Sequence, residues 1–185
     1  MEFDFSDIER WSREVTLKDG ARVTLRAERT SDLEPLWEMV SSFSDETLNL
    51  LIDHFSYELI ERWIESLDYE RIIPILAIKP GGRVVANAIL HLSQNEATRH
   101  RGVFGIFIHD DYQGRGLGTI MTQLIIEIGR LKGLRKISLD VFTGNERAVH
   151  VYEKCGFEIE GLMKEEHWHH LTESYLDSYR MAIHL

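Results

Sequence analysis

A single cysteine, Cys155, in 185 residues rules out an internal disulfide and suits a reducing compartment. Long apolar runs are missing as well. No stretch reaches the roughly 18 residues expected of a membrane-crossing helix, and Met1-Glu2-Phe3-Asp4 lacks the basic start of a signal peptide. A soluble, cytoplasmic protein with no membrane partner is expected. Positive charge is scarce: 21 Lys and Arg stand against 31 Asp and Glu, for a formal net charge of −10. Without a dense basic stripe the chain is a poor binder of nucleic acid, and its acidity suits a cationic partner better. Internal repeats, low-complexity tracts and linkers are absent too, so residues 1–185 read as one domain. The triplet Gly-Lys-Ser/Thr occurs nowhere, which excludes the nucleotide P-loop.

What is present is ordinary for a globular protein, with 43% hydrophobic and 28% charged residues. The most informative stretch is Val103 to Lys132. Its apolar start (Val103, Phe104, Ile106, Phe107, Ile108) has the length of a buried strand. Five mostly polar residues, His109 to Gln113, lead into Gly114-Arg115-Gly116-Leu117-Gly118-Thr119. From there Leu117, Ile120, Met121, Leu124, Ile125, Ile128 and Leu131 keep the spacing of an amphipathic helix, with Gly133 as its stop. A strand feeding a glycine-rich turn and a helix N-terminus is built to hold an anion, because unpaired amides and the helix dipole both face the ligand. Arg115 adds a positive charge. The dinucleotide loop G-x-G-x-x-G does not fit: five residues separate strand from glycines, and Thr119 stands where the third glycine belongs.

Around this stretch the chain alternates strands and helices. Phe3, Phe5, Ile8 and Trp11 make Glu2 to about Arg13 a short amphipathic lead-in, and Val15 to Arg26 reads as a hairpin turning at Asp19-Gly20. Ser31-Asp32-Leu33-Glu34 has the form of a capping box, Ser31 capping and Glu34 reaching back, for a helix carrying Leu33, Leu36, Trp37 and Val40. After an undecided Ser41 to His54, Ser56 caps a second helix. Pro74 makes Ile72 to Ile78 an irregular or late-starting strand. Pro80-Gly81-Gly82 turns into a strand over Val84 to Leu92, and a third antiparallel strand runs into the opening stretch. Lys136 to Phe142 is a strand, Asn145 to Cys155 a helix, and Phe157 to His169 and Tyr175 to Ile183 close the chain as strands. This order predicts an α+β fold with a mixed, mostly antiparallel sheet and helices on both faces.

A second motif follows the glycine loop. Asn145 is a favoured helix cap and Gly156 a favoured helix stop. Asn145 and Tyr152 lie nearly two turns apart, roughly 10 Å along one helix face. With Gln113-Gly114-Arg115-Gly116-Leu117-Gly118 matching Q/R-x-x-G-x-G/A, and Asn145 to Phe157 matching N-x-x-A-x-x-x-Y-x-x-x-G-F, the chain resembles the GNAT N-acetyltransferase superfamily. The clear motifs span Val103 to Phe157. Tyr175, Asp177 and Met181 more loosely resemble the closing strand of small amino-acid and polyamine acetyltransferases.

That resemblance implies transfer of the acetyl group of acetyl-CoA to a primary amine by direct attack. It implies that Ile106, Phe107 and Ile108 open an edge to the pantetheine arm, one backbone N–H polarising the thioester carbonyl. Gly114 to Thr119, with Gln113, would take the pyrophosphate. Asn145 would contact coenzyme A, and Tyr152, near the sulfur, would be the general acid. Asp140 occupies the position where some family members carry a catalytic glutamate and is a candidate acceptor of the amine's proton, with a strand-end or substrate-binding charge as the plainer reading. Asp45, Glu46 and Asp53, in the segment Ser41 to Ser56, are candidate recruiters of a cationic acceptor. The acceptor is expected to be a small molecule (amino acid, polyamine or related amine) whose identity the sequence does not spell out, with a peptide or protein N-terminus or lysine as the alternative and a non-catalytic acetyl-CoA-binding module as the rival. A homodimer is left open. In His167-Trp168-His169-His170 no carboxylate or cysteine completes a metal site at a recognised spacing, and a surface or substrate-loop cluster is expected. Cys155 is expected to pack against the core.

Overall fold

The structure, a computed structural model, describes residues 12–185 apart from Asp53. Most of the expected N-terminal lead-in therefore lies outside the described residues, as does Asp53. Eight strands form one sheet. In chain order they are β1 (Arg13–Thr16), β2 (Arg22–Ala27), β3 (Ile72–Ile78), β4 (Val84–Leu92), β5 (Arg101–Ile108), β6 (Lys136–Phe142), β7 (Glu158–His169) and β8 (Ser174–His184). The helices are α1 (Leu33–Val40), α2 (Asp45–Leu48), α3 (Tyr57–Glu65), α4 (Leu117–Leu131) and α5 (Glu146–Lys154). The spatial order is β1-β2-β3-β4-β5-β6-β8-β7, antiparallel throughout except where β5 meets β6. Among the described residues no helix is long and apolar enough to cross a membrane.

Side-chain alternation along the strands separates two cores. On one face Val23, Leu25, Ile73, Ile75, Ala88, Phe104, Ile137 and Leu139 pack against Leu117, Met121, Leu124, Ile125 and Ile128 of α4. Each of those α4 positions is at most 3% exposed, and full burial of such a side chain stabilises by about 1.5–3 kcal/mol. On the other face Leu76, Ile89 and Phe107 meet Leu36, Met39 and Val40 of α1 and Ile60 and Ile64 of α3. The expected mixed sheet with helices on both faces is the one observed.

Two local expectations are corrected. The strand around Pro74 does not start late: β3 is complete from Ile72, with Pro74 opposite Ile89, and its irregularity falls further on, where the register with β4 shifts between Ala77 and Ile78. Glu28 N–H donates to the Pro74 carbonyl at 3.0 Å. In an antiparallel pair the return bond would come from the residue-74 N–H, which proline lacks. The Tyr69 hydroxyl supplies it instead, donating to the Glu28 carbonyl at 2.5 Å. The second correction concerns the start of α1. A 3-10 turn over Thr30–Asp32 precedes it, and Asp32 rather than Glu34 reaches back, accepting from Arg29 N–H at 2.7 Å. Asp32 also receives both terminal nitrogens of Arg26 at 2.7 Å, while Glu34 accepts from the Tyr57 hydroxyl. A bidentate guanidinium partner at a nearly buried carboxylate outweighs a solvent-facing cap at Ser31. The undecided segment contains α2, capped by Ser44, whose hydroxyl accepts from Thr47 N–H.

β5 and β6 pair at three positions, from Arg101↔Lys136 to Val103↔Ser138. Beyond Val103 they part, and Phe104 to Ile108 has no strand beside it on that side. The gap leads through the sheet from one face to the other.

Candidate active site

The gap opens into a cavity of about 620 Å³, within the range of small-molecule sites. At one end lies the glycine loop. Gly114, Gly116 and Gly118 line the cavity, and Gly114 and Gly116 hold φ of +71° and +89°, a region that glycine enters without strain. Among the described residues, the amides of residues 114 to 119 donate to no protein group, and the first intrahelical bond comes from Ile120 N–H. Free amides at a helix N-terminus are suited to phosphate oxygens. Thr122, fully buried one turn further on, has a hydroxyl without a partner that also borders the cavity.

Other expected contacts take a more specific form. The His109 N–H bonds the Val85 carbonyl of β4 at 2.9 Å, so by alternation the Phe107 amide also points toward β4. Ile106 and Ile108 present their amides and carbonyls to the gap, and the Ile108 carbonyl accepts from Gln113 Nε2 at 2.9 Å. Arg115 does not turn its charge into the cradle. Its Nε pairs with Asp19 at 2.5 Å, it donates to the Asp111 carbonyl, and its guanidinium sits over the Tyr112 ring. Leu117 is core, contributing an amide to the loop while its side chain holds α4 to the sheet. Gln113 is tied into the frame through Thr47, Ile108 and Arg147.

Sequence reasoning missed the cations at this end, Lys18 and Arg147, both of which line the cavity. The Lys18 amide bonds the Arg115 carbonyl at 3.1 Å, and its side chain would be in tight contact with a Cβ on Gly116, Cγ lying 3.2 Å from it. A lysine in a hairpin turn and an arginine in the first turn of α5 carry no motif, so only folding brings them to the loop. Gly116→Glu should weaken acetyl-CoA binding about tenfold or more, because it strains the loop, displaces Lys18 and sets a carboxylate against phosphate. Isothermal titration with acetyl-CoA checks this, and unchanged affinity would take the cradle out of cofactor binding.

Further in, Asn145 caps α5, its Oδ1 accepting from Ala148 N–H at 3.2 Å, and Nδ2 reaches the Leu50 carbonyl at 3.5 Å. Tyr152 lines the same cavity, 8% exposed, with Phe104 edge-on at 6.0 Å between ring centroids. Its hydroxyl makes no hydrogen bond among the described residues. Burial, with a smaller contribution from Cys155, pushes the phenol well above its usual value and keeps it protonated. Cys155 packs against the core, its own thiol raised by burial.

Asp140 borders the cavity, but both of its oxygens are occupied by Arg180 of β8, through Nε and through Nη2 at 2.9 Å. On the α1/α3 face Glu28 and Asn87, which no sequence motif marks, line the cavity at 2% and 1% exposure. Asn87 Nδ2 donates to Glu28 Oε2 at 2.6 Å, while Asn87 Oδ1 has no partner. Burial raises the Glu28 carboxyl to about 7, against the Asn87 hydrogen bond, with Asp32 raising and Arg26 lowering it further.

The segment Ser41 to Ser56 does wall the cavity, through Thr47, Leu50, Leu51, Ile52 and Phe55. Asp45 and Glu46 do not: they are exposed in the first turn of α2. Asp110 pins α2 to the β5–α4 turn. Burial works against its charge, but bonds from the Ser44 and Thr47 hydroxyls and the Ser44 amide prevail and hold its carboxyl down at about 2. In the histidine cluster, His167 and His169 set their rings against Phe142 at 5.8 Å, and His170 meets His54 at 4.1 Å.

A sheet that parts between two parallel strands, with a phosphate cradle at the mouth of the gap, is shaped to thread a long phosphorylated arm through its middle. That is the architecture of an acyl-coenzyme A-dependent transferase. Comparison with known proteins narrows the class. The model of the Acetyltransferase (GNAT) family matches residues 36–157, more than half of the sequence, and the chain belongs to that family. The L-amino acid N-acetyltransferase AaaT of Escherichia coli is 28% identical over 163 residues, 88% of this chain and 98% of its own length. An Escherichia coli spermidine N(1)-acetyltransferase is 33% identical over 96 residues, 51% of this chain and 50% of its own, so the match spans about half of that relative. The crystal structure of spermidine N-acetyltransferase from Vibrio cholerae in complex with CoA and spermine shares the fold, with a TM-score of 0.74 at 24% identity over 88% of this chain and 95% of that one.

Proposed function

We propose that this protein transfers the acetyl group of acetyl-CoA to a primary amine of a small molecule by direct attack, its length acting as one catalytic domain. The observation that carries the reading is the continuity of one cavity from an unpartnered amide cradle, through the parted strands, to a buried unengaged phenol. Acetyl-CoA supplies an activated thioester when bound. The amides of residues 114 to 119, with Lys18 and Arg147, hold the pyrophosphate and set the depth of the arm. Ile106 and Ile108 bond the arm along their free edge, and one of their N–H groups faces the thioester oxygen as it gains charge. Asn145 fixes the α5 N-terminus against the Leu50 carbonyl. Tyr152 donates a proton to the sulfur as the carbon–sulfur bond breaks. Its raised pKa keeps it protonated until negative charge develops on the leaving sulfur.

A module that merely binds acetyl-CoA needs no hydroxyl at the sulfur, so the free phenol favours catalysis. Release of free thiol from acetyl-CoA in the presence of an amine panel, with products weighed by mass spectrometry, tests the reading. Acetylated amine is the expected product, and cofactor binding without transfer to any amine would overturn it.

A further inference from the structure

We propose that the buried pair Glu28–Asn87 is the receiving site for the acceptor's ammonium group, that Glu28 takes its proton, and that the acceptor is a monoamine with an apolar body. This rests on the acetyltransfer reading above and goes beyond it in naming the base and the class of amine.

The placement follows from alternation. Along β2, Val23, Leu25 and Ala27 face α4, which sends Glu28, held opposite Pro74, to the other face. Asn87 lies opposite Phe107 on adjacent strands, and Phe107 belongs to the α1/α3 core. Tyr152 and the glycine loop approach the gap from the α4 face, and Glu28 and Asn87 from the opposite one. The cavity joins them. Two reactants entering from opposite faces meet in the gap, with the acid on the thioester side and the base on the amine side.

The pair is unfinished as a piece of protein structure. Asn87 Oδ1 is buried without a donor, and Glu28 Oε1 has no partner among the described residues. A buried acceptor such as Asn87 Oδ1 is costly unless something donates to it. An ammonium group, with three N–H donors and a positive charge, completes both. One proton passes to Glu28, leaving a neutral amine whose lone pair forms the N–C bond as the C–S bond breaks. The second amine proton replaces the one that Tyr152 gives to sulfur, and Glu28 returns its own to water. The products are amide, thiol and one proton.

The walls give the class. On the α1/α3 face that carries the pair, the cavity is lined by Leu51, Phe55, Trp63, Leu67, Ile89 and Phe107. Of the two described carboxylates lining the cavity, Asp140 is already committed to Arg180. The cavity's lysine and arginine, Lys18 and Arg147, lie at the glycine-loop end. A polyamine would leave further ammonium groups unpaired against aromatic rings, and an amino acid would bring a carboxylate to a part of the cavity wall that no described lysine or arginine lines. A single ammonium on an aromatic or branched alkyl body fits.

Groups facing Glu28 are Arg26 and Asp32 from its own strand end, Asn87 from β4 and Tyr69 on its carbonyl, with His91 and Asp140 elsewhere on the cavity wall. The acidic limb of kcat/KM should therefore fall near pH 7, where Glu28 gains its proton. The experiment is steady-state kinetics on phenethylamine, L-phenylalanine and spermidine, for the wild type and Glu28→Gln, from pH 5.5 to 9. Expected are kcat/KM at least tenfold higher for phenethylamine, a loss of about 10²-fold or more in Glu28→Gln with disappearance of the limb near 7, and unchanged acetyl-CoA affinity. Wild-type transfer with Glu28→Gln retaining rate and limb would overturn the base while leaving acetyltransfer standing. Preference for spermidine or phenylalanine would overturn the class. No transfer by the wild type to any amine would overturn both this proposal and the reading beneath it.

Discussion

Tyr152→Phe is expected to lower kcat with the best amine by about 10²–10⁴-fold, the range that a positioned proton donor contributes, while the affinity for acetyl-CoA stays within about threefold. The separation follows from position. The cofactor is held by loop amides, Lys18, Arg147 and the β5 edge, none of which touches the phenol oxygen. The ring packs against Phe104 and Phe157 at about 6 Å, contacts that Phe reproduces. Burying the hydroxyl without a partner is itself unfavourable, so the variant should be at least as stable as the wild type, and a thermal melt will show whether the rate loss is chemical. Faster turnover of thioesters with better leaving thiols should partly rescue the variant, because the missing group serves the departing sulfur. Unchanged kcat on acetyl-CoA would remove Tyr152 from the acid role.

The parts of this site that were legible in the sequence are those that local physics dictates. A buried strand, a glycine turn and an amphipathic helix are each readable over a few residues, and β5, the loop and α4 came out with the expected limits. Asn145 and Gly156 bound a helix by capping chemistry, and helical spacing set Tyr152 on the face of Asn145; only the family resemblance put that face toward the cofactor. What was not legible depends on partners distant in sequence. Arg115 looks like an anion ligand until the β1–β2 turn brings Asp19 to it. Asp140 looks like a free carboxylate until β8 lays Arg180 beside it. Pro74 looks like a strand breaker until Tyr69, from the loop after α3, donates the bond it cannot. Glu28, in the polar run Arg26 to Asp32, reads as surface. It is buried because β2, β3 and β4 pair across it, and nothing within ten residues encodes that.

The burial of Glu28 has a thermodynamic consequence that can be measured without substrate. Displacing its carboxyl from an ordinary 4.5 to about 7 means that the folded state favours the neutral acid. A raised carboxyl contributes stability that is complete below the unfolded value and is lost as pH rises through the folded one. The wild type should therefore lose roughly 3 kcal/mol between about pH 4.5 and 7 from this group alone. Glu28→Gln, which keeps the acceptor for Asn87 Nδ2 and offers a donor to the unpartnered Oδ1, does not titrate. The variant should match the wild type near pH 4.5, gain through the interval, and at pH 8 exceed it by about 3 kcal/mol, or a Tm roughly 6–12 °C higher. Denaturant melts of both proteins at pH 4.5, 6 and 8 check the sign. A difference that is flat with pH would mean that Glu28 is ionised in the folded protein, and a less stable variant at pH 8 would mean that its charge is held by a partner. Stabilisation at pH 8 alongside a large loss of turnover would identify a carboxylate kept at a cost to the fold because the chemistry requires it.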